Sequence, residues 1–277
     1  MKKLKYFFLS TLITGVLLIP SMALAQQLPE PVKNEEVVAR QGLEKEIAKL
    51  KEIYRGQLAE YRDADKQFNI AKDQYNELET LASINDVVKA ARDVLMLRDL
   101  VMITHFELLR NNIVAADGIE LSLKQKVIER MQDRVKWLEE HRGKLEKAQD
   151  RPQFNVLSDE FTDKEDDFME ISNQATTILA VGSMQDVYDR LVLVRKDILA
   201  LEAKSSTADR SRASIETDRM ISAVKGTLDS NWVELGEEVL DGNVTSYSSN
   251  LVKTLSPIYT GLNKTVSFLR ELLREIK

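Results

Sequence analysis

Leu43 to Ala82 is a proline-free stretch in which apolar residues recur every seven positions. Ile47, Tyr54, Tyr61, Phe68 and Tyr75 form one series, and Leu43, Leu50, Gln57, Ala64, Ala71 and Leu78 form a second, offset by three or four. A spacing of 3.5 keeps one stripe of a helix turned toward a partner along its whole length, which is the a/d seam of a coiled coil. At 1.5 Å per residue the helix would be roughly 60 Å long. Asn34 supplies an N-cap, with Glu35 and Glu36 in the first turn, where the helix dipole favours acids. The aromatic seam invites two readings: an aromatic ladder that grips an extended ligand, or core packing, and a/d positions normally face inward.

The pattern continues through the chain. Ser83-Ile84-Asn85-Asp86 reads as a capping box that opens a second helix, ending near Asp117-Gly118. Ile84, Val88, Ala91, Leu95, Met102 and Leu109 make one stripe of that helix, and Val87, Val94, Val101 and Leu108 make another. So wide an apolar face predicts the central element of a bundle, antiparallel to its predecessor because the connection is short. A third helix, about 119–149, repeats Leu121, Ile128, Met131, Val135, Leu138 and Leu145, with Lys124 and Arg142 in the gaps. Asp150-Arg151-Pro152 breaks the chain. A fourth helix carries Phe154, Leu157, Phe161, Phe168, Ile171, Ala175 and Ile178 and is expected to stop at Gly182. Ser183 to Asp186 resembles a fresh cap, followed by Val187, Leu191, Val194, Ile198 and Leu201 at coiled-coil spacing.

Residues 204–214 are polar on every side, either a solvated joint or the middle of one long helix. Periodicity returns weakly at Ile215, Ile221, Val224 and Leu228, and a short segment, Trp232 to Leu240, precedes a turn at Asp241-Gly242-Asn243. The last helix carries Leu251, Leu255, Ile258, Leu262, Val266, Leu269, Leu273 and Ile276, and Pro257 should kink or divide it. Strand signals are absent. The expectation is an all-α protein, an elongated antiparallel helical bundle with coiled-coil-like heptad helices. Its domains would be 34–150 and 151–277, packed separately or as one.

The N-terminal residues have the pattern of an export signal, so the bundle is expected outside the cytoplasm. Lys2, Lys3 and Lys5 precede an apolar core from Phe7 to Ile19, and Ala23-Leu24-Ala25 suits a signal peptidase. Residues 1–25 therefore read as a secretory signal cleaved after Ala25, with 26–33 an extended leader containing Pro29 and Pro31. The apolar core is shorter than the roughly 20 residues that span a bilayer. No cysteine follows for lipid attachment, and no twin-arginine pair is present, so general secretion to the periplasm or cell surface is expected.

Composition narrows the function classes. Residues 1–25 hold three lysines and no acid, so the remainder carries 36 basic and 45 acidic residues, a formal charge of −9. That balance lacks the electrostatic footprint of nucleic-acid binding. The chain has no cysteine, which removes disulfides, thiolate metal sites and cysteine nucleophiles together. Ten glycines and five prolines beside 30% charged residues favour helices over a secreted all-β domain.

Candidate chemistry is sparse. His105 and His141 are the only histidines; neither belongs to HExxH, and neither has a glutamate three residues before it, as a helical carboxylate–histidine metal site requires. No GxSxG, Walker or GxGxxG motif occurs. Between Val94 and Leu109 the ionisable residues are Arg98, Asp99, His105 and Glu107. Arg98 and His105 lie seven apart on one stripe, so a buried polar cluster of Arg98, Asp99 and His105 is expected. It would be either an anion-binding or pH-sensitive site, or a core network that fixes helix register.

Asp159, Glu160, Asp163, Glu165, Asp166, Asp167 and Glu170 suggest calcium, but Phe168 and Gln174 stand where an EF-hand loop needs glycine and glutamate. A solvated helix face is the expectation. Ile171 to Gln185 is uncharged but too short and polar to span a membrane. Lys264, Arg270, Arg274 and Lys277 beside Leu269, Leu272, Leu273 and Ile276 would let the last helix lie on a lipid surface, or pack on the bundle. The reading that results is an exported, non-enzymatic structural or interaction protein of the cell envelope, without cofactor or metal, that binds a protein partner or itself. The alternatives are a membrane-associated helical protein and a ligand-binding bundle centred on Arg98 and His105.

Overall fold

In the computed structural model, residues 34–203, 211–241 and 251–275 are described, and among them every regular element is helical. The helices are α1 (Asn34–Leu78), α2 (Leu81–Ala115), α3 (Leu121–Lys147), α4 (Arg151–Glu202), α5 (Arg212–Asp241) and α6 (Leu251–Glu275). The fold is an all-α helical bundle. The signal and leader segments, the turn at 242–243 and most of the 204–214 stretch lie outside the described residues. The chain divides into two units at Ala39 and Arg40; the contacts below belong to the second.

α1 runs antiparallel to α2. Arg40 pairs with Asp117 at 3.0 Å, and the Tyr54 and His105 rings lie 5.9 Å apart. The seam largely faces inward as its spacing requires. Ile47, Tyr54 and Ala71 are buried, and Leu43, Leu50, Tyr61, Phe68 and Tyr75 are partly buried. Leu78 departs from the series: it ends the helix and is 62% exposed, because the chain turns away before a partner helix can cover it.

That turn is tighter than the sequence suggests. Glu79 takes a left-handed conformation (φ 47°), and Thr80, not Ser83, caps α2. The Thr80 hydroxyl accepts from the Ser83 N–H, and the Ser83 hydroxyl accepts from the Thr80 N–H, a reciprocal capping box. A left-handed residue with a Cβ costs about 1 kcal/mol relative to glycine. Glu79→Gly is therefore expected to raise stability by up to about 1 kcal/mol in a thermal melt, and Glu79→Val to lower it.

α2, α3 and the first half of α4 pack on one another, and the second half of α4 packs with α5 and α6. Lys124 donates to the Ala116 carbonyl and Arg92 to the Ala148 carbonyl (2.6 Å), so long cations close the C-termini of α2 and α3. Asp150 caps α4 by accepting from Gln153 N–H at 3.0 Å, with Pro152 in the first turn.

α4 does not stop at Gly182. It continues to Glu202, and the Ser183 hydroxyl donates to the Leu179 carbonyl inside the helix instead of capping a new one. Gly182 is there for proximity. The backbone of Gly118 in the α2–α3 connection crosses α4 at this point, and a Cβ on Gly118 would overlap the Gly182 carbonyl oxygen. Trp232 to Leu240 likewise belongs to the continuous α5, and α6 passes through Pro257 without dividing.

Candidate functional site

The buried polar cluster exists, but with a different membership from the one the spacing implies. Asp99, on α2, is fully buried, and its Oδ2 lies 2.5 Å from His141 Nδ1 on α3. His141 Nε2 lies 2.9 Å from the Leu157 carbonyl of α4. A carbonyl only accepts, so Nε2 carries a hydrogen. One further proton then lies between Nδ1 and the carboxylate, held by either an imidazolium–carboxylate or an imidazole–carboxylic acid pair. Trp137, one turn before His141, stacks on the imidazole at 4.8 Å and 12°. Three helices are thus tied through one side chain.

Arg98 lies beside this pair without a hydrogen bond to it. Its Nε is 3.7 Å from Asp99 Oδ1, and its guanidinium carbon sits 3.3 Å above the centroid of Phe161. Burial pushes the guanidinium below its ordinary range, partly offset by Asp99, Tyr61 and Glu165. Burial raises the Glu165 carboxyl, and Arg98 opposes that rise. A planar cation over an aromatic face is a packing solution for a charge that is largely withdrawn from water.

His105 joins neither residue. Its Nε2 lies 3.1 Å from Ser172 Oγ on α4, and its ring is flanked by Tyr54 and Phe106. Burial lowers the His105 imidazole to about 4. Between that value and about 6.5 the unfolded chain binds a proton that folded His105 refuses, so stability falls as pH drops through this window. Relative to the parent chain, His105→Gln should remove about 1–2 kcal/mol of that decline in urea titrations at pH 7 and pH 4.5, the full shift being discounted for partial exposure of the ring.

The Asp99–His141 pair is not arranged for acid–base work. A histidine in a catalytic triad gives Nδ1 to the carboxylate and keeps Nε2 for the nucleophile. In His141 both nitrogens are engaged and the side chain is 1% exposed. A small cleft of about 110 Å³ between α2 and α3, lined by Phe106, Glu107, Arg110, Met131 and Val135 among others, includes neither Arg98 nor either histidine. Small-molecule sites usually have several hundred Å³.

The acidic run is not simply a solvated face. Glu160 pairs with Lys144 (2.8 Å), Asp167 with Arg134 (2.6 Å) and Glu170 with Arg130 (2.9 Å), all α3 cations. Arg130 also donates to buried Gln174 at 2.6 Å. Among the described residues no group of His, Cys, Asp or Glu is placed to hold a metal ion. The uncharged stretch after it is core: Ile171, Ala175, Ile178 and Val181 are fully buried.

On α6, Lys264, Arg270 and Arg274 are exposed, and Lys277 lies outside the described residues. Leu269 and Leu272 are buried against Ile198 and Ala213, and Leu273 is 42% exposed. Docking on lipid would take two of the leucines out of the core. Among the described residues no helix is long and apolar enough to cross a membrane.

Sequence reasoning missed His141 and Arg195. His141 stands between Leu138 and Leu145 at helical spacing, a signal for burial that the competing alignment of Arg142 obscured. Arg195 is also buried, donating to Asp218 (2.7 and 3.0 Å), Glu202 (3.1 Å) and Ser214 (2.7 Å), so it joins α4 to α5. Its pattern position, one residue after Val194, gave no warning.

One surface remains unspent. In the α4 series Val187, Leu191, Val194, Ile198, Leu201, Ile198 is buried and Leu191 packs beside it, whereas Val187, Val194 and Leu201 are 42%, 41% and 45% exposed. Leu193 adds a further exposed side chain, at 60%. No family model, curated protein or solved structure matches the chain.

Proposed function

We propose that this chain is an exported, non-enzymatic interaction protein of the cell envelope that binds a protein partner or a copy of itself through outward helix faces. The observation that carries the reading is the exposed row on the second half of α4. Its valines and leucines recur at seven-residue intervals on a helix whose other side is already packed. Scattered exposed apolar residues are ordinary, but a row aligned along one helix is the form in which helices recognise other helices. The buried Asp99–His141 pair supports the same reading, because both imidazole nitrogens are spent on contacts that join α2, α3 and α4.

The secretory pattern of residues 1–25 and the absence of cysteine suit a helical protein held by its core in an oxidising compartment. The test is crosslinking in the native host followed by recovery of the mature chain from envelope fractions. A discrete crosslinked species that disappears in Leu193→Asp/Val194→Asp supports the reading. Recovery from the cytoplasm, or crosslinking indifferent to those substitutions, refutes it.

A further inference from the structure

The exposed row of α4 carries a charge pattern that selects its partner. Arg190 and Asp197 lie on the same outward side as Val187, Val194 and Leu201, and both are exposed. Arg190 reaches back to Asp186 at 2.8 Å, and Asp197 has no partner among the described residues. Laid against a parallel copy, the row sets Arg190 on Arg190 and Asp197 on Asp197, which is repulsive twice over. Laid against an antiparallel copy, Arg190 comes level with Asp197 of the second chain, and the second chain's copy of this pair repeats it across the two-fold axis. To within one residue, about 1.5 Å along the axis, the same register brings Val187 level with Leu201 of the second chain and Val194 level with its own copy at the axis, so the apolar row meets its own reversal.

Resting on the interaction reading above, we propose that the second half of α4 is an isologous homodimer interface, antiparallel, centred between Leu193 and Val194 and registered by two Arg190–Asp197 pairs. A C2 interface requires a self-complementary patch, and reversal of the helix supplies it here. The row from Asp186 to Leu201 spans roughly 24 Å. A single helix face of that length lies at the small end of specific interfaces, so a micromolar dissociation constant is expected. The apolar residues provide the affinity, and the charge pairs fix direction and register.

The cysteine-free chain allows a direct test. In the full mature chain under mild oxidation, Val194→Cys should crosslink to itself, because the two copies meet at the axis. Val187→Cys alone should not, since its copies are about 20 Å apart, but Val187→Cys mixed with Leu201→Cys should. By sedimentation equilibrium the parent chain should reach twice the monomer mass in the micromolar range. Arg190→Asp should weaken the dimer at least about tenfold, and Arg190→Asp/Asp197→Arg should restore it. Circular dichroism of each variant guards against loss of fold, because these positions are exposed.

Self-crosslinking of Val187→Cys would indicate a parallel pair and overturn the proposal. A chain monomeric to ~100 µM, where even weak specific interfaces are populated, would overturn it as well. If the monomer still crosslinks in the host to a second protein, and Leu193→Asp/Val194→Asp abolishes that, self-pairing falls while the interaction reading stands.

Discussion

Asp99→Leu is expected to cost the folded chain about 3–5 kcal/mol, the usual penalty for removing one partner of a buried ion pair. The leucine cannot take the proton shared with His141 Nδ1, and the imidazole is 1% exposed, so no water replaces the lost partner. Asp99→Asn should be far milder, about 1 kcal/mol, because its amide can donate to Nδ1 while Nε2–H stays on the Leu157 carbonyl. His141→Leu should resemble Asp99→Leu. The double variant should recover much of the loss, since a well-packed apolar pair often equals a buried polar one. Urea titration of the four chains checks this ordering. Equal small losses for leucine and asparagine at position 99 would show that the pair contributes little.

Gly118→Ala comes next in expected size, at about 3 kcal/mol. The added methyl would overlap the Gly182 carbonyl oxygen and approach Asp186 N to 2.8 Å, and neither backbone atom can move without shifting α4. Gly182→Ala meets the Ile119 side chain instead. Its loss should therefore be largely relieved by Ile119→Ala, whereas Gly118→Ala should not be rescued that way. Gly226→Ala is the contrast: nothing lies within 4 Å of its Cβ position on exposed α5, and helix propensity alone should raise stability by about 0.5–1 kcal/mol. Thermal melts of the variants separate collision from propensity.

These two sites also mark where the sequence speaks and where it is silent. Helix content and the inward face of α1 follow from local spacing, because the 3.5-residue beat of Ile47, Tyr54 and Tyr61 has only one inward solution, and the antiparallel α1–α2 pair follows from the short connection. Gly182 could not be read correctly in the same way. Glycine before Ser-Met-Gln-Asp satisfies every local rule for a helix end, and only the crossing of Gly118, 64 residues earlier in the chain, shows that its missing side chain serves close packing. The Thr80–Ser83 cap was masked by a second cap-like run three residues on.

The polar centre was half legible. Asp99 and Arg98 stood out as charges in an apolar helix, but a charge pattern along one helix does not say which neighbour answers it. Asp99 is answered from α3 by His141, Arg98 by the Phe161 ring, and His105 by Ser172 of α4. Arg98 and His105, seven apart on one stripe, therefore serve two separate contacts, and Asp99 serves a third. The acids of 159–170 are similar: their density was visible, but the α3 arginines and lysine that pair with them were not.

Buried polar groups hold the helices together, and the proposed working surface is the outward row of α4. The most direct measurement is crosslinking in the native host of two chains shown to be folded by circular dichroism. Asp99→Asn/His141→Gln alters the core centre and should retain the crosslinked species of the parent chain. Leu193→Asp/Val194→Asp alters only exposed residues and should lose it while melting at an unchanged temperature. The reverse pattern, with the species lost on changing the core centre and kept on changing the row, would contradict the account.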